Sequence, residues 1–338
     1  MQRFYEIRNL PPEILRGINQ VAENTLQHMK SLTPLKVKLP SIEELTKRSW
    51  PSDAVVLARG PSFFRQGHIE RLKKARALGR QFLLLCADGT VAHCLDRGLI
   101  PDIVVTADPS IRILHWFGDP EGLTAKDDYF LKDRDSPKQS KALIDPACTV
   151  ALLDKHGPRL TVAVDVYTHE RVVDRLLAIG AQIFLYFPMS DDEEYMSEMW
   201  KRYPELVSLS CGGNVGAAAY NLSRFLGASR VCLCGFDFAY PPGTPLEQTQ
   251  YFDLIAQNPK LANQLFVTVR NPHLKRPWFT DRVYLGYAHT LLNMVDDAAK
   301  QGVHTVNATN GGILFGPKLE WGSLVDFLKR TPLARKRC

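Results

Sequence analysis

Five short polar clusters stand out, because each combines a turn-forming glycine or proline with a side chain that can do chemistry. They are Arg59-Gly60-Pro61-Ser62, Asp88-Gly89-Thr90, Asp108, Gly212-Gly213-Asn214-Val215-Gly216 and Phe236-Asp237. Gly212-Gly213-Asn214 opens an alanine-rich stretch, Ala217-Ala218-Ala219. That pattern suits a phosphate-cradling turn: amide N–H groups and the helix dipole attract an anion, and glycine lets it come close. The alternative is a glycine turn that only permits tight packing. In the first cluster Pro61 fits the first turn of a helix. Ser62 fits either a phosphate or ribose contact or an N-cap. Asp88, Asp108 and Asp237 are candidates for binding ribose, holding Mg²⁺ or accepting a proton. Each of them also suits an Asx turn or cap. His289, in Tyr284-Leu285-Gly286-Tyr287-Ala288-His289, is a candidate base near neutral pH, with a structural role as the alternative. The acidic run Asp191-Asp192-Glu193-Glu194 reads as a solvated helix start. No HExxH, GxSxG or CxxC motif occurs, and the seven cysteines have no regular spacing. They read as reduced thiols, and a zinc site is not expected.

The elements that must position these clusters follow a βα alternation. Strands are expected at 55–58, 82–87, 103–108, 149–153, 160–166, 183–187, 231–235 and 304–308. Helices are expected at 69–79, 90–97, 215–226 and 287–301. Continuous apolar, β-branched runs fit strands covered on both faces. The expected fold is therefore α/β, a Rossmann-like doubly wound, mostly parallel sheet with helices on both faces. In such sheets ligands sit outside the carboxyl ends of the strands, which puts the five clusters on one rim. Residues 1–50 read as a helical N-terminal extension, 51–318 as the nucleotide-binding catalytic domain, and 319–338 as a C-terminal helix and basic tail. The polar stretch 119–145 reads as an irregular insertion, and 243–281, rich in proline, as a loop suited to a lid.

Composition narrows the class. The chain has 338 residues, 45% hydrophobic and 23% charged, enough to bury a large core without staples. No apolar run approaches the length of a membrane span. The N-terminus lacks a signal-peptide pattern, so a cytoplasmic location is expected. The net charge is +6, and setting aside Arg335, Lys336 and Arg337 leaves +3. Nucleic acid is accordingly not an expected partner, and an anion would have to be held by backbone N–H groups.

As an ordered set, these motifs resemble a known family. It groups the archaeal 6-hydroxymethyl-dihydropterin diphosphokinase (MptE-like) with the bacterial motility accessory factors that glycosylate flagellin. The resemblance runs over about residues 50–315. It rests on Gly60-Pro61-Ser62, on Cys86 to Thr90, on Gly98 to Asp108, on Gly212-Gly213-Asn214-Val215, and on Leu226-Gly227 through Gly235-Phe236-Asp237-Phe238-Ala239-Tyr240. More distantly the motifs are similar to bacterial sialyltransferases that use CMP-sialic acid, in which a histidine acts as base. His289 lies in the corresponding segment, at a spacing that differs from Tyr-x-Gly-His. The resemblance implies a transferase. The first expectation is a glycosyltransferase moving a nonulosonic sugar from a CMP donor to Ser or Thr of a flagellin-like protein, with no cofactor. The second is an ATP- and Mg²⁺-dependent pterin diphosphokinase, with Asp88, Asp108 or Asp237 holding the metal. The third is an inactive nucleotide-binding scaffold. In the first, Gly60, Pro61, Ser62, Asp88, Gly89, Thr90, Gly212, Gly213 and Asn214 bind nucleotide, and His289, Asp108 and Asp237 are catalytic.

Overall fold

The computed structural model describes residues 4–119, 144–249, 257–258 and 265–333. Most of the expected 119–145 insertion, the middle of the 243–281 segment and the basic tail lie outside the described residues. Among the described residues nine strands form one sheet, in the order β12-β11-β8-β2-β3-β4-β5-β6-β7. They are β2 (Asp53–Leu57), β3 (Leu83–Ala87), β4 (Ile103–Thr106), β5 (Thr161–Asp165), β6 (Gln182–Pro188), β7 (Ser208–Leu209), β8 (Arg230–Cys234), β11 (His304–Asn307) and β12 (Leu319–Trp321). All eight pairings are parallel. From β2 the chain winds outward through β3 to β7, then returns to place β8 on the other side of β2. The order therefore reverses between β2 and β8, the topological switch point of a doubly wound fold.

Alternation along each strand sends its side chains to two cores. Val55 and Leu57 face one side, with Leu72 of α3 (His68–Ala77), Val91 of α4 (Asp88–Asp96), Val172 of α6 (Glu170–Ala178) and Met199 of α7 (Glu193–Arg202). Ala54 and Val56 face the other, with Ile14 and Ile18 of α1 (Pro12–Ser31), Ala218 of α8 (Val215–Phe225) and Leu291 of α9 (Arg282–Lys300). The helices thus cover both faces, as expected. Asp192 caps α7 by accepting the Tyr195 N–H at 2.7 Å, so the acidic run is indeed a helix start.

Three readings need correction. Residues 149–153, expected as a strand, lie inside α5 (Pro146–His156). Asp145 accepts from the Ala147 and Cys148 N–H groups, Pro146 occupies the first turn, and Thr149 and Leu153 are buried at i,i+4 spacing. Capping and periodicity outweigh the β-branched composition. The 243–281 segment is not all loop. β9 (Phe266–Val269) and β10 (Trp278–Asp281) pair antiparallel, and β1 (Phe4–Tyr5) adds to β9 in parallel. The prolines fall before β9 and in the connection between β9 and β10, outside the paired runs. Residues 319–321, assigned from sequence to a terminal helix, instead form β12 on the edge of the main sheet. It precedes α10 (Leu324–Arg330).

Candidate functional site

At the switch point β2 and β8 end side by side. The Gly60 N–H donates to the Gly235 carbonyl at 2.9 Å. A Cβ at Gly60 would collide with that carbonyl and with the Asp237 carboxylate, so only glycine lets the two strand ends close. Asp237 is 1% exposed. Its Oδ2 accepts the Ser62 N–H at 3.0 Å and its Oδ1 accepts the Ser62 hydroxyl at 2.5 Å. Gly311 and Gly312 close over the pair so tightly that a Cβ on either would meet Ser62 or Asp237 atoms. Burial pushes the Asp237 carboxyl up to about 6, against the pull of the Ser62 hydrogen bonds. Asp237 thus clamps the start of the short helix α2 (Pro61–Arg65) onto β8. Ser62 faces this clamp, and neither side chain opens to solvent.

The next cluster sits where α4 begins directly after β3. Asp88 Oδ2 accepts the Thr106 hydroxyl at 2.9 Å and its Oδ1 accepts the Gly89 N–H at 2.6 Å. Burial raises this carboxyl to about 7, and Asp108 pushes in the same direction. Thr90 returns its hydroxyl to the Ala87 carbonyl at 2.7 Å. Arg59 lies across Gly89, with its guanidinium 4.3 Å from the Trp116 ring centroid and 5.4 Å from that of Phe64. Asp88, Gly89 and Thr90 are therefore buried under this arginine.

The open part of the rim is built differently. Gly212 and Gly213 have φ of 54° and 77°, a left-handed pair that turns the chain into α8. Asn214 caps that helix, accepting the Ala217 N–H at 2.9 Å. The Val215 and Gly216 N–H groups are in the first turn, where a helix supplies no acceptor of its own. Gly213 is exposed and Gly212 and Asn214 are half-buried. Tyr287 lies against Gly213, 2.7 Å from where a Cβ would stand, and Thr290 and Met294 lie against Gly212. Asp108 is exposed at the mouth, and its Oδ1 accepts the Ser110 N–H at 2.8 Å. The surrounding walls still shield the carboxyl enough to raise it, opposed by Arg112 and His28. Tyr287 is pushed up to about 12, by burial first and then by the charges of Asp108 and Asp281.

His289 does not join this group. Tyr287, Thr290 and Met294 are spaced three and four apart and share the helix face that meets the glycine turn. His289 shares the opposite face with Leu292, Asn293 and Asp296, all three of which Arg8 contacts. Burial and Arg8 lower the His289 pKa. The rim thus brings together Asp108, Tyr287, Gly212, Gly213 and Asn214. Asp88, Gly89, Thr90, Ser62 and Asp237 are buried and take no place on this open rim. Tyr287, Arg112 and His28 were not singled out from sequence. The i, i+3, i+7 spacing of Tyr287, Thr290 and Met294 is the signal that marks their face. Two surface recesses, about 310 and 490 Å³, contain none of the sequence-derived site residues.

Among the described residues, no three or more His, Cys, Asp or Glu side chains converge as a metal-binding group, and no helix is long and apolar enough to cross a membrane. Residues 26–125 match the family model described as 6-hydroxymethylpterin diphosphokinase MptE-like, the family that the ordered motifs resembled. The matched stretch contains Gly60-Pro61-Ser62, Asp88 and Asp108; the glycine turn and Asp237 lie beyond it. No curated protein matches the chain.

Proposed function

With an MptE-like domain at residues 26–125 as the premise, we propose that this chain is a transferase that holds the phosphate of a nucleotide-activated sugar at Gly212-Gly213-Asn214. The reading follows the first family expectation, a CMP-linked nonulosonic sugar passed to a Ser or Thr hydroxyl of a flagellin-like protein. The observation that carries it is the pair of left-handed glycines at the mouth of α8, with Asp108 and Tyr287 beside them. The first-turn N–H groups hold the single phosphate of the donor. The acceptor oxygen attacks the anomeric carbon as the bond from that carbon to the phosphate oxygen breaks, and CMP leaves with the electron pair. Asp108 takes the acceptor proton. Partial shielding makes its carboxylate more basic than a fully solvated one, which suits a general base. Tyr287, protonated at neutral pH, orients Asp108 or the phosphate. His289 has no part in this step.

A Mg²⁺-dependent diphosphokinase is the second reading, favoured by the description of the matched family model. Of its three candidate metal ligands, Asp88 and Asp237 commit both carboxylate oxygens to protein donors. The donor set therefore fits a triphosphate-bound metal poorly, and a single-phosphate donor fits the glycine turn better. Calorimetric titration separates the two. The proposal expects CMP to bind without Mg²⁺ and Gly213→Ala to abolish that binding. Tight binding of ATP with Mg²⁺, no affinity for CMP, and release of AMP in the presence of hydroxymethyl-dihydropterin would replace it with the second reading.

A further inference from the structure

Asn221 stands in the middle of α8, seven residues after the cap Asn214 and so on the same face of the helix. Asparagine is a poor choice for a helix interior, because its amide competes with the backbone for hydrogen bonds. At 8% exposure it must also satisfy that amide within the protein. It does so at both ends. Its Nδ2 donates to the Ser210 carbonyl at 2.7 Å and to the Met294 sulfur at 3.3 Å, and its Oδ1 accepts from the Arg224 guanidinium at 2.8 Å. A carbonyl and a thioether only accept and a guanidinium only donates, so the amide fits one way round.

Both donor contacts lead to the glycine turn. Ser210 directly follows β7, and its carbonyl marks the entry of the chain into Cys211-Gly212-Gly213. From the far end Asn214 closes the same turn: its N–H donates to the Cys211 carbonyl at 3.0 Å and its Nδ2 to the Gly212 carbonyl at 3.3 Å. Met294 Cε lies 2.9 Å from where a Cβ on Gly212 would stand. One buried amide therefore ties the entry of the turn to α8 and, through the sulfur, engages the α9 side chain that backs Gly212. We propose that Asn221 is a positioning residue of the anion site. It fixes the path from Ser210 to Gly213 and holds Met294 against Gly212, so that the first N–H groups of α8 face the ligand before it arrives. This assignment rests on the anion-binding reading of the turn and extends it. A turn that had to be ordered on binding would give up affinity.

The test is calorimetric titration of the full chain with CMP and, separately, with inorganic pyrophosphate, with a thermal melt of each variant. Asn221→Asp keeps the size and the acceptor for Arg224 but turns a carboxylate oxygen toward the Ser210 carbonyl. It is expected to bind about tenfold more weakly, the worth of one hydrogen bond. Met294→Ala removes the sulfur and the contact with Gly212, and about a three- to fivefold loss is expected. Val231→Ala, near the start of β8 and fully buried, is the control. It lowers Tm by core truncation without touching the turn, and its affinity is expected to stay within about twofold. Wild-type affinity in Asn221→Asp overturns the assignment. So does a loss that merely follows Tm across all three variants. If Asn221→Asp does not fold, Met294→Ala decides, and wild-type affinity there overturns the assignment. Pyrophosphate binding that weakens in this order, with no CMP binding, keeps Asn221 as a positioning residue and removes the nucleotide-sugar reading. If neither anion binds wild type, the turn is not an anion site and the assignment falls with it.

Discussion

Asp237, singled out in the sequence for catalysis, spends both carboxylate oxygens on Ser62 inside a closed contact. Its Asp-after-strand position was readable; its enclosure by Gly311 and Gly312, some 75 residues downstream, was not. Asp237→Ala is expected to lower unfolding stability by about 2–4 kcal/mol, since it leaves two buried donors without an acceptor. Asp237→Asn, which keeps one acceptor oxygen, is expected to cost less; urea melts of both variants check this. Asp88, Asp165 and Asp237 share a further property, since burial raises all three carboxyls, to about 7, 8 and 6. A raised folded-state pKa stabilises fully below the unfolded value, near 4, and that stability is lost as pH rises through the folded value. His68, buried and lowered to about 4, works in the opposite sense, as do His156 and His289, whose pKa burial also lowers; their opposition is small above about pH 7 and grows as pH falls further. Between pH 8.5 and 7 the raised carboxyls act in one sense, together with the buried thiols Cys86, Cys211 and Cys232, which burial also raises, and Tm is expected to rise as pH falls over that span. Asp165→Asn should flatten that rise. A wild-type Tm that is level or higher at pH 8.5 contradicts the burial argument.

At the scale of elements, α9 separates two histidine readings by rotation alone. One face carries Tyr287, Thr290 and Met294 to the glycine turn, and the other carries His289 to Arg8. His289→Ala is expected to leave transfer within about twofold, the size of a surface change, whereas Asp108→Asn removes the proposed base and lowers kcat by about 10²–10⁴. Initial-rate assays with both variants decide this, and the reverse ranking restores the histidine as base. Gly213→Ala would force a Cβ against Tyr287 at a left-handed φ. It is expected to fold and to lose anion binding. The strands that flank these elements were legible because they are buried on both faces and read as unbroken apolar runs, as in Val55-Val56-Leu57 and Phe82 to Ala87. The α5 helix is hard to read because Thr149-Val150-Ala151-Leu152-Leu153 has strand composition, and its capping signal lies outside that window, at Asp145 and Pro146. β9 and β10 were hidden by the prolines around them, since a pairing between two short strands leaves little mark in either one.

Over the whole molecule, the N-terminal 50 residues are stitched into the domain rather than appended to it. β1 pairs with β9, Ile7 is fully buried, and Arg8 bridges to Asp296 of α9 at 2.8 Å. α1 packs on α9, so the element that presents Tyr287 to the rim is braced from the N-terminus. Removing residues 1–10 strips β1 from the small sheet and uncovers that bracing. It is expected to lower Tm by several degrees, since losing even one buried isoleucine costs about 2–5 kcal/mol; scanning calorimetry of the truncated chain checks this. The amphipathic α1 was visible in the sequence, but its docking partner α9 was not, because Ile18 meets Gly286 across more than 260 residues. The switch point between β2 and β8 became apparent only once strand order was known, and it explains why the glycine-rich clusters converge on one rim. The central claim is that this rim holds the phosphate of a nucleotide sugar at Gly212-Gly213-Asn214. Calorimetric titration of CMP into wild type and Gly213→Ala at pH 7, without Mg²⁺, tests it most directly. The account expects one CMP bound per wild-type chain and none to the variant; equal binding by both proteins, or no binding by wild type, would contradict it.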